Sequence, residues 1–160
     1  MSTAHNIDRI MTEPLPAFRQ PSPIERLFNR AFGFLVGLGL GFSYNHLLQV
    51  RGRKSGKLYS TPVDLLDLKG RRYLVAPRGR TQWVRNAEAA GEVTLKRGRH
   101  VQTFRLRSLS GPEQLEVLKA YLDRFRREVQ RYFPVPADSP AEAFTSLANS
   151  YPAFELVNPR

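Results

Sequence analysis

The residues best suited to chemistry lie in two short segments. The first is Arg51-Gly52-Arg53-Lys54-Ser55-Gly56-Lys57, followed closely by Ser60-Thr61-Pro62. A turn between strands exposes backbone amides, and Arg and Lys clustered on it can grip phosphates or carboxylates. The hydroxyls of Ser55, Ser60 and Thr61 add further donors. Alone, this segment reads equally as an anion clamp or as a solvated basic turn. The second segment runs from Ala76 through Pro77, Arg78 and Gly79 to Trp83, Arg85 and Asn86. There a glycine-bearing loop enters a short helix, whose first amides lack partners within the helix and are open to an anion. Trp83 is the only tryptophan. It reads either as an apolar plug beneath a barrel or as one wall of a ligand groove.

Much other chemistry is excluded. There are no cysteines, so disulfides, thiolate metal sites and cysteine nucleophiles are absent. His5, His46 and His100 show no pairing or ligand spacing. No HExxH, GxSxG or phosphate-binding GxxxxGK[ST] pattern occurs. Asp64, Asp67, Glu88 and Glu92 form no general acid–base pair and no metal cage. We therefore assign no catalytic residue and no metal site from the sequence. If the chain is an enzyme, a bound cofactor must carry the chemistry while the protein positions it.

Charge narrows the partner. The chain has 25 Lys and Arg against 14 Asp and Glu, a net charge of +11. Between Arg51 and Arg107 alone there are 15 basic and 4 acidic residues, so that stretch holds the entire excess. A focused positive field concentrates an anionic partner: a phosphate-bearing cofactor, a nucleic acid or an anionic membrane. Tyr59, Tyr73, Trp83 and Phe104 interleave with the basic residues, as in single-strand binders. No nucleic-acid motif accompanies them, so nucleic acid is not the expected partner.

These residues need a scaffold, and 160 residues at 41% hydrophobic content suffice for one core. Residues 1–22, with Pro14, Pro16 and Pro21, read as an irregular arm, and 23–160 as one domain. Ser22-Pro23-Ile24-Glu25 opens a helix over 23–38, whose apolar stripe is expected to pack on the core or across a homodimer interface. The alternative is a peripheral membrane contact through 24–42, with Arg26 and Arg30 on the polar side. The apolar run from Ala31 to Phe42 is too short to span a bilayer, which takes about 20 residues, and it lies too far in for a signal peptide. The expected location is the cytoplasm, with membrane association as the variant. Strands are predicted at His46–Arg51, at Leu58–Leu68 with a bend near Pro62, at Arg72–Ala76, at Val93–Lys96, at Arg99–Ser108 and at Phe154–Val157. Lys69-Gly70 and Arg97-Gly98 are the expected hairpin turns. Gln82–Ala90 is a predicted helix with Gly91 as its C-cap. A second helix follows Ser110 with Leu115, Leu118, Tyr121, Leu122, Phe125 and Val129 on its apolar face. A short one follows Ser139 and runs through Ala148. The sum is α+β: an antiparallel barrel of five or six strands with flanking helices.

In this order and spacing, GRKSGK with STP, LVAPRG, WVRN and GEVTL resemble the deazaflavin-dependent nitroreductase family. Those proteins are F420-dependent reductases on a split β-barrel, related to the FMN-binding pyridoxamine-phosphate-oxidase group. The resemblance covers about His46 to Arg107, with a matching close at Tyr151–Leu156. It implies that Arg53, Lys54, Ser55 and Lys57 hold the phosphate and glutamyl tail of coenzyme F420. It implies that Ser60, Thr61, Pro62 and Val63 line the cofactor, and that backbone at Ala76, Pro77, Arg78 and Gly79 holds the deazaflavin or its ribityl chain. Trp83 and Asn86 match the W-x-x-N that closes the cofactor groove. Asp64 stands where some nitroimidazole-reducing members have an aromatic. The implied activity is F420H2-dependent hydride transfer to a small quinone-, enone- or nitro-type acceptor. The alternatives are an FMN or other flavin reductase, and a non-enzymatic binder of a hydrophobic or anionic ligand on the same barrel.

Overall fold

The computed structural model describes Arg30, Phe32 and residues 41–160. Arg30 and Phe32 are helical. The remainder of the expected arm over 1–22, of the helix over 23–38 and of the membrane contact through 24–42 lies outside the described residues, except for Gly41 and Phe42. The elements in chain order are β1 (Asn45–Arg51), β2 (Leu58–Asp64), β3 (Leu66–Leu68), β4 (Arg71–Val75), α1 (Gln82–Ala90), β5 (Glu92–Arg97), β6 (His100–Ser108), α2 (Gly111–Arg124), α3 (Arg126–Val129) and β7 (Ala153–Val157). Two 3₁₀ segments, Gln130–Tyr132 and Ala141–Ser150, lie between α3 and β7.

The strands form one antiparallel sheet in the order β2-β1-β5-β6-β7-β4-β3, curled into a half-barrel. This is the expected α+β split barrel, with seven strands rather than five or six. Alternation places the core on both faces of the sheet. Leu74 of β4 joins Leu48, Val93, Leu95 and Phe104 inside the curl, where Ala87 of α1 packs with them. Its neighbours Tyr73 and Val75 point the other way, into a second cluster with Leu118, Tyr121, Leu122 and Phe125 of the α2 side. A strand buried on both faces must read as a continuous apolar run, and Tyr73-Leu74-Val75 does.

Four sequence expectations are corrected. Pro62 does not bend its strand: it sits within β2, paired with Leu47. β2 is an edge strand, where the missing amide hydrogen costs no ladder bond on the open side. The break comes instead at Leu65, whose amide donates to the Tyr44 carbonyl at 2.9 Å. The helix after Ser110 is interrupted at Phe125, so α2 and α3 meet at an angle set by non-helical backbone there (φ −111°, ψ 26°). The segment after Ser139 is 3₁₀ rather than α, with Pro140 at its N-cap. Lys69 and Gly70 both take positive φ (51° and 76°), the tight hairpin expected between β3 and β4. The second hairpin turns at Gly98-Arg99, one residue later than predicted, because Arg97 still pairs with His100.

Candidate functional site

β2 is one edge strand of the sheet, α1 enters beside it, and α2 and α3 cross nearby. These elements enclose a cleft of about 1000 Å³. Twelve of the fourteen predicted site residues line it: Arg53, Lys54, Ser55, Ser60, Thr61, Pro62, Val63, Ala76, Pro77, Arg78, Trp83 and Asn86. Lys57 and Gly79 are not among its lining residues. Lys57 is exposed just before β2. Gly79, at φ 80°, shapes the loop from behind, where an added Cβ would lie 3.3 Å from the Ser150 carbonyl.

The basic turn is held from both sides. The Gly52 amide donates to the Lys57 carbonyl at 2.7 Å, and the Gly56 amide to the Gly52 carbonyl at 2.9 Å. Gly52 itself is buried, and a Cβ there would stand 2.6 Å from Tyr59 Cε2 and 2.7 Å from Ser55 Oγ. The close packing of Tyr59 across the turn therefore requires glycine. From α1, the Asn86 side-chain oxygen accepts the Arg53 amide at 3.1 Å and Arg53 Nη1 at 2.8 Å, while Gln82 Oε1 accepts the same Nη1 at 2.9 Å. The W-x-x-N asparagine thus acts as a buried clamp that fixes the basic turn to the helix. Arg53 keeps further N–H groups beyond those the helix engages.

α1 forms where expected because Trp83, Val84 and Ala87 recur at helical spacing and Gly91 ends it in the left-handed region (φ 73°). At its other end Thr81 occupies the N-cap yet makes no capping hydrogen bond. Its hydroxyl oxygen is buried and has no hydrogen-bond partner among the described residues. Trp83 is half-buried and meets Phe154 edge to face at 6.2 Å, so it is both plug and cleft wall. Arg78 and Arg131 lie over the Tyr132 ring at 5.9 Å and 4.8 Å.

The far end of the cleft differs in character. Asn45 Nδ2 donates to Asp64 Oδ1 at 2.7 Å, and the Tyr44 hydroxyl donates to Glu128 Oε1 at 3.0 Å. Burial, reinforced by the Glu128 charge and opposed by the Asn45 hydrogen bond, pushes the Asp64 carboxyl up to about 6. Burial raises Tyr121 well above the usual phenol range. His46, one residue from Asn45, is lowered by its own burial, and its Nδ1 donates to the Tyr44 carbonyl (3.1 Å) as a structural histidine.

Sequence reasoning missed Tyr44, Asn45, Asp64, Thr81, Glu128, Arg131 and Tyr132, all of which line the cleft. Asp64 carried a signal, an acid inside the basic stretch. Glu128, Arg131 and Tyr132 carried none, because only the crossing of α3 and the 3₁₀ turn after it bring them to the site. The donor set suits a ligand with an anionic tail and a flat ring. Cations line one end, a hydroxyl unpaired among the described residues lies at a helix N-terminus, and Val63, Val75, Ala76 and Trp83 supply apolar walls.

The family model of F420H(2)-dependent quinone reductases matches residues 25–135. A protein of unknown function from Agrobacterium tumefaciens superposes at a TM-score of 0.53 and 15% identity, over 90% of this chain and 58% of its own. A structure described as a domain-swapped dimer superposes at 0.52 and 19% identity, over 84% and 99%. At these identities the two establish a shared fold. The F420-H2 dependent reductase FDR-A superposes at 0.49 and 21% identity, over 71% and 94%. No curated protein sequence matches this chain.

Proposed function

Because this chain belongs to the F420H2-dependent quinone reductase family, oxidoreductases whose cofactor is coenzyme F420, we propose that the cleft along β2 is where it binds that cofactor and reduces a quinone. Arg53, Lys54 and Ser55 take the phosphate and glutamyl tail, and Lys57 adds to the field from outside. Ser60, Thr61, Pro62 and Val63 flank the cofactor along β2. The backbone from Ala76 to Gly79, with the Thr81 hydroxyl and the first amides of α1, receives its polar middle. Trp83 and Ala76 wall the ring. When bound in its reduced form, the deazaflavin supplies a hydride from C5.

The protein's work is positioning and exclusion. Asn86 and Gln82 hold Arg53 in one place, so its remaining N–H groups meet the tail without losing much side-chain freedom. The apolar walls would keep water from the transfer and hold the cofactor ring against the acceptor. The observation that carries this reading is one cleft that joins a clamped cationic turn to a buried hydroxyl with no partner among the described residues. The test is anaerobic mixing of protein, F420H2 and a short-chain quinone, following the return of the oxidised deazaflavin absorbance. Catalysed oxidation that requires the quinone supports the proposal. Oxidation with enones or nitro compounds but not quinones would replace its acceptor.

For assembly, the open β2 edge exposes Leu58 (56%) and Tyr59 (49%), which favours a homodimer formed there, to be read by light scattering. No helix among the described residues is long and apolar enough to cross a membrane. We place the enzyme in the cytoplasm. We expect residues 24–42, most of which lie outside the described residues, to serve core or dimer packing in preference to a membrane anchor, and pelleting with liposomes would reverse that choice.

A further inference from the structure

The end of the cleft away from the basic turn holds a carboxyl that the cofactor reading leaves unused. Asp64 is the last residue of β2, and seven extended residues place it about 20 Å along the strand from the turn. The protein carries +11, yet no Lys or Arg among the described residues pairs with this side chain. Asp64 has one hydrogen bond among those residues, from Asn45 Nδ2 to Oδ1. Asn45 is buried and fixed at three further points. Its side-chain oxygen accepts the Phe42 amide at 3.0 Å, its own amide donates to the Phe42 carbonyl at 2.9 Å, and its carbonyl accepts Arg97 Nη1 at 3.0 Å. The carboxyl is therefore oriented by a rigid donor at one oxygen, leaving the other for a ligand.

The groups facing it come from every neighbouring element. Glu128 of α3 approaches as a like charge, with its own carboxylate held by Tyr44. Tyr44 and Tyr121 both feel the Asp64 charge. Arg124 stands over the Tyr44 ring at 5.4 Å rather than on the carboxyl. Arg97 spends its donors on the Gly41, Phe42 and Asn45 carbonyls. No basic side chain among the described residues neutralises an ionised Asp64, and Val63, Val129 and Tyr121 make this end apolar enough for a ring.

We propose that Asp64 is the proton donor to the acceptor, its carboxyl hydrogen-bonding an acceptor oxygen and protonating it as the hydride arrives. This rests on the reading of the cleft as the F420 site. The acceptor takes two electrons with the hydride, and the reduced cofactor is correspondingly oxidised. The Asp64 O–H bond breaks and an O–H bond forms on the hydroquinone. The resulting carboxylate regains from solvent the proton that the oxidised cofactor releases. A carboxyl that burial and Glu128 hold near 6 is matched to such a task close to neutral pH.

The experiment has three arms on the full chain. Trp83 quenching by oxidised F420 is first compared in wild type and Asp64→Asn. Equal affinity leaves the cofactor site intact, and no binding by wild type would sink the cleft reading rather than this one. Quinone binding is then measured without turnover, on protein loaded with oxidised F420. Wild-type affinity should fall as pH rises through about 6, when the donor proton is lost, and the Asp64→Asn affinity should stay flat. Finally, wild-type quinone reduction should decline over the same range, whereas Asp64→Asn should be slower by about 10²-fold below it and lack that limb. A wild type whose quinone affinity and rate are both flat from about pH 5 to 8 overturns the proposal without any variant. So does an Asp64→Asn protein that keeps the wild-type pH profile.

Discussion

Asn86 illustrates how one buried polar side chain can organise a charged one. It is 5% exposed, and its oxygen accepts both the Arg53 amide and the Arg53 guanidinium. Asn86→Ala removes the acceptor and leaves the amide without its partner, so stability should fall by about 1–3 kcal/mol. F420 affinity should fall with it, because the turn loses its anchor to α1. Urea unfolding with a parallel titration checks this, and unchanged stability would mean the clamp is not formed. Asp64 makes the opposite stability prediction. Its folded-state value of about 6 lies above the ordinary 3.8, so the folded state binds the proton more tightly than the unfolded chain. The stability this provides is fully present below about pH 4 and lost as pH rises through about 6. Asp64→Asn should therefore gain Tm relative to wild type as pH rises from 4 to 7, and a Tm difference constant with pH would contradict the assignment. At this scale the sequence was legible for Arg53, Lys54 and Trp83, whose types suit a binding site wherever they fold. For Asp64 only an acid inside the basic stretch was legible; its role was not, because that depends on Asn45 and Glu128 from other elements.

Elements were legible where local signals close on themselves. α1 has helical spacing and a terminal Gly91, and its predicted bounds match the observed Gln82–Ala90. β2 was legible as a strand but not in its end, because Leu65 breaks it through a bond to Tyr44, 21 residues earlier in the chain. The meeting of α2 and α3 at Phe125 was hidden, since the apolar period runs through the break: Tyr121, Leu122, Phe125 and Val129 are all buried. That break supplies Glu128 and Arg131 to the cleft. The basic turn tests the account at this scale. Gly52→Ala would push against Tyr59 and Ser55, both partners in a 3.3 Å hydroxyl contact. Because Tyr59 is half-exposed and can swing outward, the loss should be about 1 kcal/mol, the low end for overpacking. The same variant should weaken F420 binding more than it weakens folding. A stability loss with intact binding would place the tail elsewhere.

For the whole molecule the question is what the localised charge is for. All of the +11 excess lies between Arg51 and Arg107, and part of it lines one end of the cleft. Arg53→Ala and Lys54→Ala should each weaken F420 binding by about 1–3 kcal/mol if each makes a charge-assisted hydrogen bond to the tail. That loss should shrink as salt rises, because exposed charges are screened. The sign and place of this charge were visible in the sequence; the second wall that turns it into a cleft was not. The most direct measurement is a fluorescence titration of wild-type protein with F420, with its tail-less precursor and with FMN, read at Trp83, the sole indole. The account predicts quenching by F420 at micromolar or tighter affinity, weaker binding of the precursor, and a difference between the two that fades with salt. Equal affinity for F420 and its precursor, or binding of FMN without binding of F420, would contradict it.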